Sequence, residues 1–374
     1  MRKGWEYKKL GDCTQILDSQ RKPVTKRDRK SGIYPYYGAT GIQDYVDKYI
    51  FDGRYVLVGE DGAKWSSFTQ SAFIIEGKTW VNNHAHVLRT NDFLVDSFLV
   101  YFLNYSDLDS YISGAIIRKL TQASLRNIDI PLPPKSTQLA IVSELDKINE
   151  LIRLKKEQLK DFDNLAQSLF YEMFGDPVEN EKGWEVKKLG EIGEFKNGLN
   201  FSKDENGHSI KFLGVSDFQN KKSIASDQLD CISLSECVQE DYLLKTGDIV
   251  FVRSNGKKEL IGRSVKMYIT EPTTYSGFCI RCRITDEKVD KDYIAILLKT
   301  PIIRQFMTNS GRGCNISNLN QKILNSIPTI LPPLPLQRLF AQRIEQIERE
   351  KSEVQKSIQD LETLLASRMQ YWFE

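Results

Sequence analysis

The chain has no apolar run long enough to cross a bilayer. Its most apolar stretch, residues 93–103, is interrupted by Asp96 and falls well short of the ~20 residues a spanning helix needs. The opening residues Met1, Arg2, Lys3, Gly4, Trp5 and Glu6 lack the apolar core of a secretion signal. A cytoplasmic protein without membrane contact is the expectation. There is no G-x-x-x-x-G-K-[ST], so ATP-driven work is not encoded. No Asn/Asp-Pro-Pro-aromatic tetrapeptide of an amino-methyltransferase is present, and no carboxylate pair can be assigned to a nuclease. Gly311-Arg312-Gly313 lacks the third glycine of a dinucleotide loop.

Charge of one sign is also missing. The 374 residues carry a net +2, with 52 Lys and Arg against 50 Asp and Glu, so nucleic-acid binding must be argued locally. Histidine is scarce, at 3. His84 and His86 would share a face of an extended strand, but two histidines without a third ligand make a poor metal site, and none is expected. Six cysteines include a C-x-x-C at Cys279 and Cys282. Without a second ligand pair, a half-buried strand with cysteines on its apolar face is the better reading.

What the sequence does have is a repeat. Gly4-Trp5-Glu6-Tyr7-Lys8-Lys9-Leu10-Gly11 recurs as Gly183-Trp184-Glu185-Val186-Lys187-Lys188-Leu189-Gly190. Leu132-Pro133-Pro134 and Gln138 recur, 199 residues on, as Leu331-Pro332-Pro333 and Gln337. The same offset runs without gaps to the aromatic segments at residues 168–174 and 367–373. The ends of the module repeat while its middle diverges, as expected of one scaffold presenting two different surfaces.

Beyond each proline run, steps of four and three pick out a coiled-coil seam. In the first arm the positions are Ile141, Leu145, Ile148, Ile152, Lys155, Leu159, Phe162, Ala166, Leu169 and Met173. In the second they are Phe340, Ile344, Ile347, Lys351, Val354, Ile358, Leu361, Leu365, Arg368 and Trp372. A helix of ~55–60 Å with one apolar seam must bury it, and the other arm, running antiparallel, is the expected partner. Helices packed only on their own heads are the alternative. The division expected is a first head at residues 1–135, an arm at 136–174, a linker at 175–182, a second head at 183–335 and an arm at 336–374. The class is α+β: two mainly-β or mixed heads separated by two long antiparallel helices, with pseudo-twofold symmetry.

The positive charge lies in the heads. Residues 1–135 carry 19 Lys and Arg against 15 Asp and Glu, and residues 183–335 carry 21 against 18, whereas both arms are acidic. Arg21, Lys22, Lys26, Arg27, Arg29 and Lys30 form one loop cluster; Arg253, Ser254, Asn255, Lys257, Lys258 and Arg263 form another. Lys and Arg suit phosphates, and Arg, Asn and Gln can pair with base edges. Tyr36, Tyr37, Lys64, Asn82, Asn83, His84, Arg118, Lys119, Arg281, Arg312 and Asn315 complete the candidate DNA contacts. A solvated loop is the plain alternative for each cluster.

Together these residues resemble the specificity subunit of type I restriction–modification enzymes. The resemblance rests on the Gly-Trp-Glu-x-Lys-Lys-Leu-Gly openings, the Leu-Pro-Pro entries with Gln138 and Gln337, Tyr36-Tyr37-Gly38-Ala39-Thr40-Gly41 with Asn83-His84-Ala85-His86-Val87 in the first head, and Lys245-Thr246-Gly247-Asp248-Ile249-Val250 with Ile261-Gly262-Arg263 in the second. It implies two target-recognition domains, each reading half of a split double-stranded DNA site, and helices that set the spacer and dock two methylase subunits. Half-sites one to one and a half helical turns apart suit arms of this length. Restriction subunits would join them. S-adenosylmethionine, ATP and magnesium would belong to the partners, leaving this chain non-catalytic and without a cofactor. The recognition part of a single-chain restriction–methyltransferase, a coiled-coil scaffold that binds no DNA, and a stand-alone nuclease are the alternatives.

Overall fold

A computed structural model describes residues 5–114, 116, 118–200, 203–218, 223–254, 260–309 and 318–374. The chain divides into two compact units: Met1–Gln158 with Glu353–Glu374, and Leu159–Ser352. The division passes through both arms, each a continuous helix, Lys135–Phe174 and Leu334–Phe373. Among the described residues no helix is long and apolar enough to cross a membrane.

In the first unit a six-stranded sheet runs in the order Thr14–Ile16, Ala85–Thr90, Phe51–Gly59, Ala72–Val81, Ser31–Gly38, Gly41–Val46. All its pairings are antiparallel except that of Ser31–Gly38 with Ala72–Val81. Residues 55–59 of the central strand are buried without alternation, because both of its faces are covered. Val56 and Val58 turn one way, into the core that holds helix Asp96–Tyr105; Leu57 turns the other.

The second unit differs. It has a five-stranded sheet, Gly193–Asn197, Cys279–Ile284, Ile249–Val252, Ser264–Tyr268, Ser223–Ala225, and a three-stranded sheet, Cys231–Leu234, Lys203–Leu213, Thr273–Tyr275. Cys279 and Cys282 do not share a face. Three residues apart on one strand, they point to opposite sides, into two separate clusters of the core. Burial pushes the Cys279 thiol up to about 12 and raises that of Cys282 as well. They can neither chelate a metal together nor act as reactive thiolates.

The repeated sequence builds the same base under both heads. Glu6–Lys9 pairs antiparallel with Asp129–Leu132, Glu6 opposite Leu132; Glu185–Lys188 pairs with Pro328–Leu331, Glu185 opposite Leu331. The backbone of Leu10 donates to Ile128 O at 2.8 Å, and that of Leu189 donates to Ile327 O at 2.9 Å. Each arm carries a buried glutamine in its first turn. Gln138 donates to Pro133 O at 2.9 Å and Phe93 O at 2.8 Å, and accepts from Val95 N at 2.9 Å. Gln337 donates to Pro332 O at 2.7 Å and Lys288 O at 3.3 Å, and accepts from Asp290 N at 2.9 Å.

Both units hold an antiparallel helix pair. In the first, Glu144 meets the Arg368 guanidinium and the Trp372 indole, and Lys156 meets Glu362 at 2.8 Å. In the second, Asp163 meets Lys351 at 2.5 Å, and the Phe170 and Phe340 rings lie 5.7 Å apart, edge on. Partner numbers fall on one helix as they rise on the other, which is antiparallel pairing. Ile141, Leu145, Ile148 and Ile152 are buried, as are Phe340, Ile344, Ile347, Val354 and Ile358; Leu159, Phe162, Leu169, Leu361 and Leu365 are half-buried.

Toward their C-terminal ends the arms leave the heptad positions and turn a different edge inward. Phe170 and Phe174 enter the second unit's core, where Phe174 packs edge-on against Tyr293 and Phe340. Met369 is buried in the first unit's core, and Phe373 packs against it beside Phe98, Phe102 and Tyr105. The arm ends are thus parts of the heads' own cores as well as of a helix seam. This follows from the period of a straight helix, 3.6 residues rather than 3.5, which carries a strict heptad stripe off the contact line.

Candidate nucleic-acid interface

In the first head the basic loop divides into anchors and exposed charges. The Arg21 side chain is only 12% exposed and reaches Glu60 at 2.5 Å, Ala85 O at 2.8 Å, Asn83 O at 3.3 Å and Asp18 at 3.4 Å. Arg29 donates to Val24 O at 3.1 Å and Asp44 at 3.2 Å, and stacks 4.1 Å above the Tyr36 ring. Tyr36 is itself buried, with its hydroxyl accepting from Val24 N at 3.0 Å. Tyr36 and Arg29 therefore fix the loop from beneath rather than facing outward. Tyr37 is half-buried, 5.9 Å from the Phe73 ring. Trp80 ties the loop's start by donating to Lys22 O at 2.6 Å. The side chains left on the surface are those of Lys22, Lys26, Arg27 and Lys30.

The segment at residues 82–84 is a turn between strands Ala72–Val81 and Ala85–Thr90. Asn82 is buried; its amide donates to Gln43 at 3.1 Å and its oxygen accepts from His84 N at 2.8 Å. Asn83 and His84 are exposed, and His84 Nδ1 lies 2.5 Å from Asp61. The expected shared face of His84 and His86 does not occur. His84 sits in the turn, whereas His86 lies on the strand and is fully buried. Lys64 and Arg118 are exposed, Arg118 pairing with Asp109 at 2.8 Å; Lys119 binds Glu60 at 2.6 Å.

Beneath the turn lies a group that sequence reasoning missed. Asp18, Glu60 and His86 bring ligand-type atoms within 4.8 Å of one another. His86 Nδ1 is 2.6 Å from Asp18 and its Nε2 2.8 Å from Leu120 O. The Leu120 carbonyl can only accept, so Nε2 donates to it. Burial alone would raise both acids, but their partners outweigh it. Hydrogen bonds from His86 and Val87 N, with the charges of His86 and Arg21, hold Asp18 below its ordinary value; Lys119 and Arg21 do the same for Glu60. Arg21, Lys119 and His86 already partner the two carboxylates, so the cluster is an ion network and not a cation site. No sequence signal marks it, because His86 lies on a strand buried on both faces, where alternation does not separate inside from outside.

In the second head, Arg253 and Ser254 are half-buried at the end of strand Ile249–Val252, with Arg253 N donating to Phe278 O at 2.8 Å. Arg263 is half-buried. Arg281 is 5% exposed and donates to Asp241 O at 2.9 Å, so it faces the interior of the sheet. Asn255, Lys257, Lys258, Arg312 and Asn315 lie outside the described residues. The Lys245-Thr246-Gly247-Asp248 segment is a brace. The buried Asp248 carboxylate takes Arg283 through two bonds, at 2.8 and 2.7 Å, and also Lys245 N at 2.8 Å. Gly247 turns there at φ +91°, a backbone conformation that strains any residue with a Cβ.

Two heads of different sheet topology, each set on the same strand pair and glutamine-tied helix, define a duplicated recognition scaffold. A family model for the type I restriction modification DNA specificity domain matches residues 2–161 and 181–363, and the chain belongs to that family. It is 33% identical over 267 residues to a putative type I restriction enzyme specificity subunit of Haemophilus influenzae, covering 70% of this chain and 67% of the relative. It is 23% identical over 394 residues to the MjaVIII specificity subunit of Methanocaldococcus jannaschii, covering 96% and 92%. Its fold is similar to that of the type I S subunit from M. genitalium, with a TM-score of 0.57, 15% identity, and 98% and 95% of the two chains covered. A chain from a structure describing assembly and conformational transition of the type I system gives 0.63 at 17% identity, covering 100% and 98%.

Proposed function

We propose that this chain is the sequence-reading subunit of a type I restriction–modification enzyme, non-catalytic by itself. Each head reads one half of a bipartite double-stranded DNA target. The paired arms set the spacer and dock two methylase subunits, and restriction subunits join that assembly. The observation that carries the reading is the identical base beneath two unlike sheets. Gln138 and Gln337 anchor the two arms by the same bonds, while the surfaces above them differ in topology and charge. A scaffold that repeats its mounting and varies its surface suits a target with two different halves. S-adenosylmethionine, ATP and magnesium come with the partners.

The test is methylome sequencing of a host that carries this chain and its methylase. A two-part motif with a fixed gap is expected. A contiguous motif, or no motif, overturns the proposal.

A further inference from the structure

The turn at residues 82–84 is held more firmly than a surface turn requires. Arg21 donates to the carbonyls of Asn83 and Ala85, the Asn82 side chain caps His84 N, and Glu60 N donates to His84 O at 2.8 Å. Arg21 is in turn fixed by Asp18 and Glu60, Glu60 by Lys119, and Asp18 by His86, Val87 N at 3.1 Å and Gln122 at 3.2 Å. Buried ion networks of this kind are seldom more stabilising than a packed apolar core of equal volume. Their attested use is to fix one geometry. Here the geometry fixed is that of two exposed side chains. Among the described residues the Asn83 amide has no partner in the protein, and Asp61 holds the His84 ring by Nδ1 so that Nε2 is left for an outside group. Rigid hydrogen-bonding groups on a surface, backed by a buried polar foundation, are what a base-reading element needs.

We propose that Asn83 and His84 read base edges in the half-site of the first head, Asn83 by pairing through both amide atoms with an adenine in the major groove. Asp18, Arg21, Glu60, His86 and Lys119 are positioning residues that hold them in register. This rests on the function proposed above and adds which atoms read and what holds them. The exposed lysines and arginines at residues 22–30 contact phosphates and carry no sequence information.

The test uses the full chain assembled with its methylase and a DNA library randomised across the target. Asn83 is exposed, so N83A leaves the fold intact. It is expected to reduce discrimination at one base pair of one half-site, by roughly ten- to a hundredfold, with the other half-site and the gap unchanged. E60Q keeps the side chain's shape but loosens Arg21 and Lys119. It is expected to blur the same base pair, an effect that lost stability alone would spread over every sequence. A motif unchanged in N83A overturns the proposal, as does a loss of modification that is uniform across sequences. If the wild-type complex gives a two-part motif and N83A does not alter it, only this inference fails; if the wild type gives no two-part motif, the function proposed above fails first.

Discussion

Gln138 and Gln337 make the same bonds in the two halves of the chain: each ties the carbonyl of the first proline in the pair before it to the loop that opens a helix of its own head. Both are 1% exposed. Replacing either with alanine leaves a buried proline carbonyl without its partner, at about 1–3 kcal/mol, and a part-buried N–H and carbonyl that water can reach in part. Q138A should destabilise the first unit and Q337A the second, by about 2–4 kcal/mol. Hydrogen exchange resolved along the chain checks this: faster exchange confined to the unit that carries the substitution is the expected result.

Lys351 sits on the seam where the repeat puts Ile152. It is nearly buried and depends on Asp163 at 2.5 Å, with Glu348 at 3.8 Å. Replacing a buried charge with an apolar residue of similar volume gains about 1 kcal/mol or more when its partner is left in water, and the Asp163 side chain is 61% exposed. K351I should therefore raise the stability of the second unit by about that amount, whereas K351A should lower it. Denaturant melts of the two variants give the sign directly.

Asp18 and Glu60 lie below their ordinary values of 3.8 and 4.5 when folded. A depressed carboxylate contributes stability that is complete above the unfolded value and is lost as pH falls through the folded one. The first unit should therefore weaken as pH drops below about 4.5 and further below about 3.8. D18N and E60Q should flatten that acid limb while lowering stability at neutral pH. Thermal melts from neutral pH down through the carboxylate range would record it, and an acid limb as steep in the variants as in the wild type would count against the network.

Lys22, Lys26, Arg27 and Lys30 are the exposed charges of the first head's loop. Neutralising two of them should weaken DNA binding by the assembled complex to a similar degree for all sequences. The slope of log affinity against log salt should fall by about 0.9 for each phosphate that is no longer neutralised. Binding isotherms at several salt concentrations, on target and random duplexes, measure both effects. R21A should behave differently, because Arg21 supports the turn: target affinity should fall more than random-sequence affinity.

The repeat, the helical arms and the α+β class could be read from the sequence because each rests on local periodicity or identity over many residues. The Leu189 and Gln337 contacts follow from that identity once those of Leu10 and Gln138 are known. The site was less legible. Arg21, Arg29 and Tyr36 resemble surface readers because a basic, aromatic loop carries no mark of which side chains turn inward. That choice is made by Asp18, Asp44 and Glu60, which are 3, 15 and 39 residues away from the arginines they hold. His86 and Arg281 show the same limit. Both are polar residues on strands whose two faces are covered, where alternation no longer separates inside from outside. The cysteine pair departs from its expected single face for a simpler reason: a spacing of three on a strand sends side chains to opposite faces.

The division of the chain through its arms has a consequence for synthesis. Residues 159–352 form a contiguous unit, and the ribosome delivers all of it in one pass. The first unit is not contiguous. Its sheet emerges first, yet Met369 and Phe373, which pack into its core, are made only after all of the second unit. The earlier-born half must wait for the later one to be finished before its own apolar interior closes. A stop codon between residues 352 and 369 would therefore leave the first head, far away in sequence, as the part exposed to proteases.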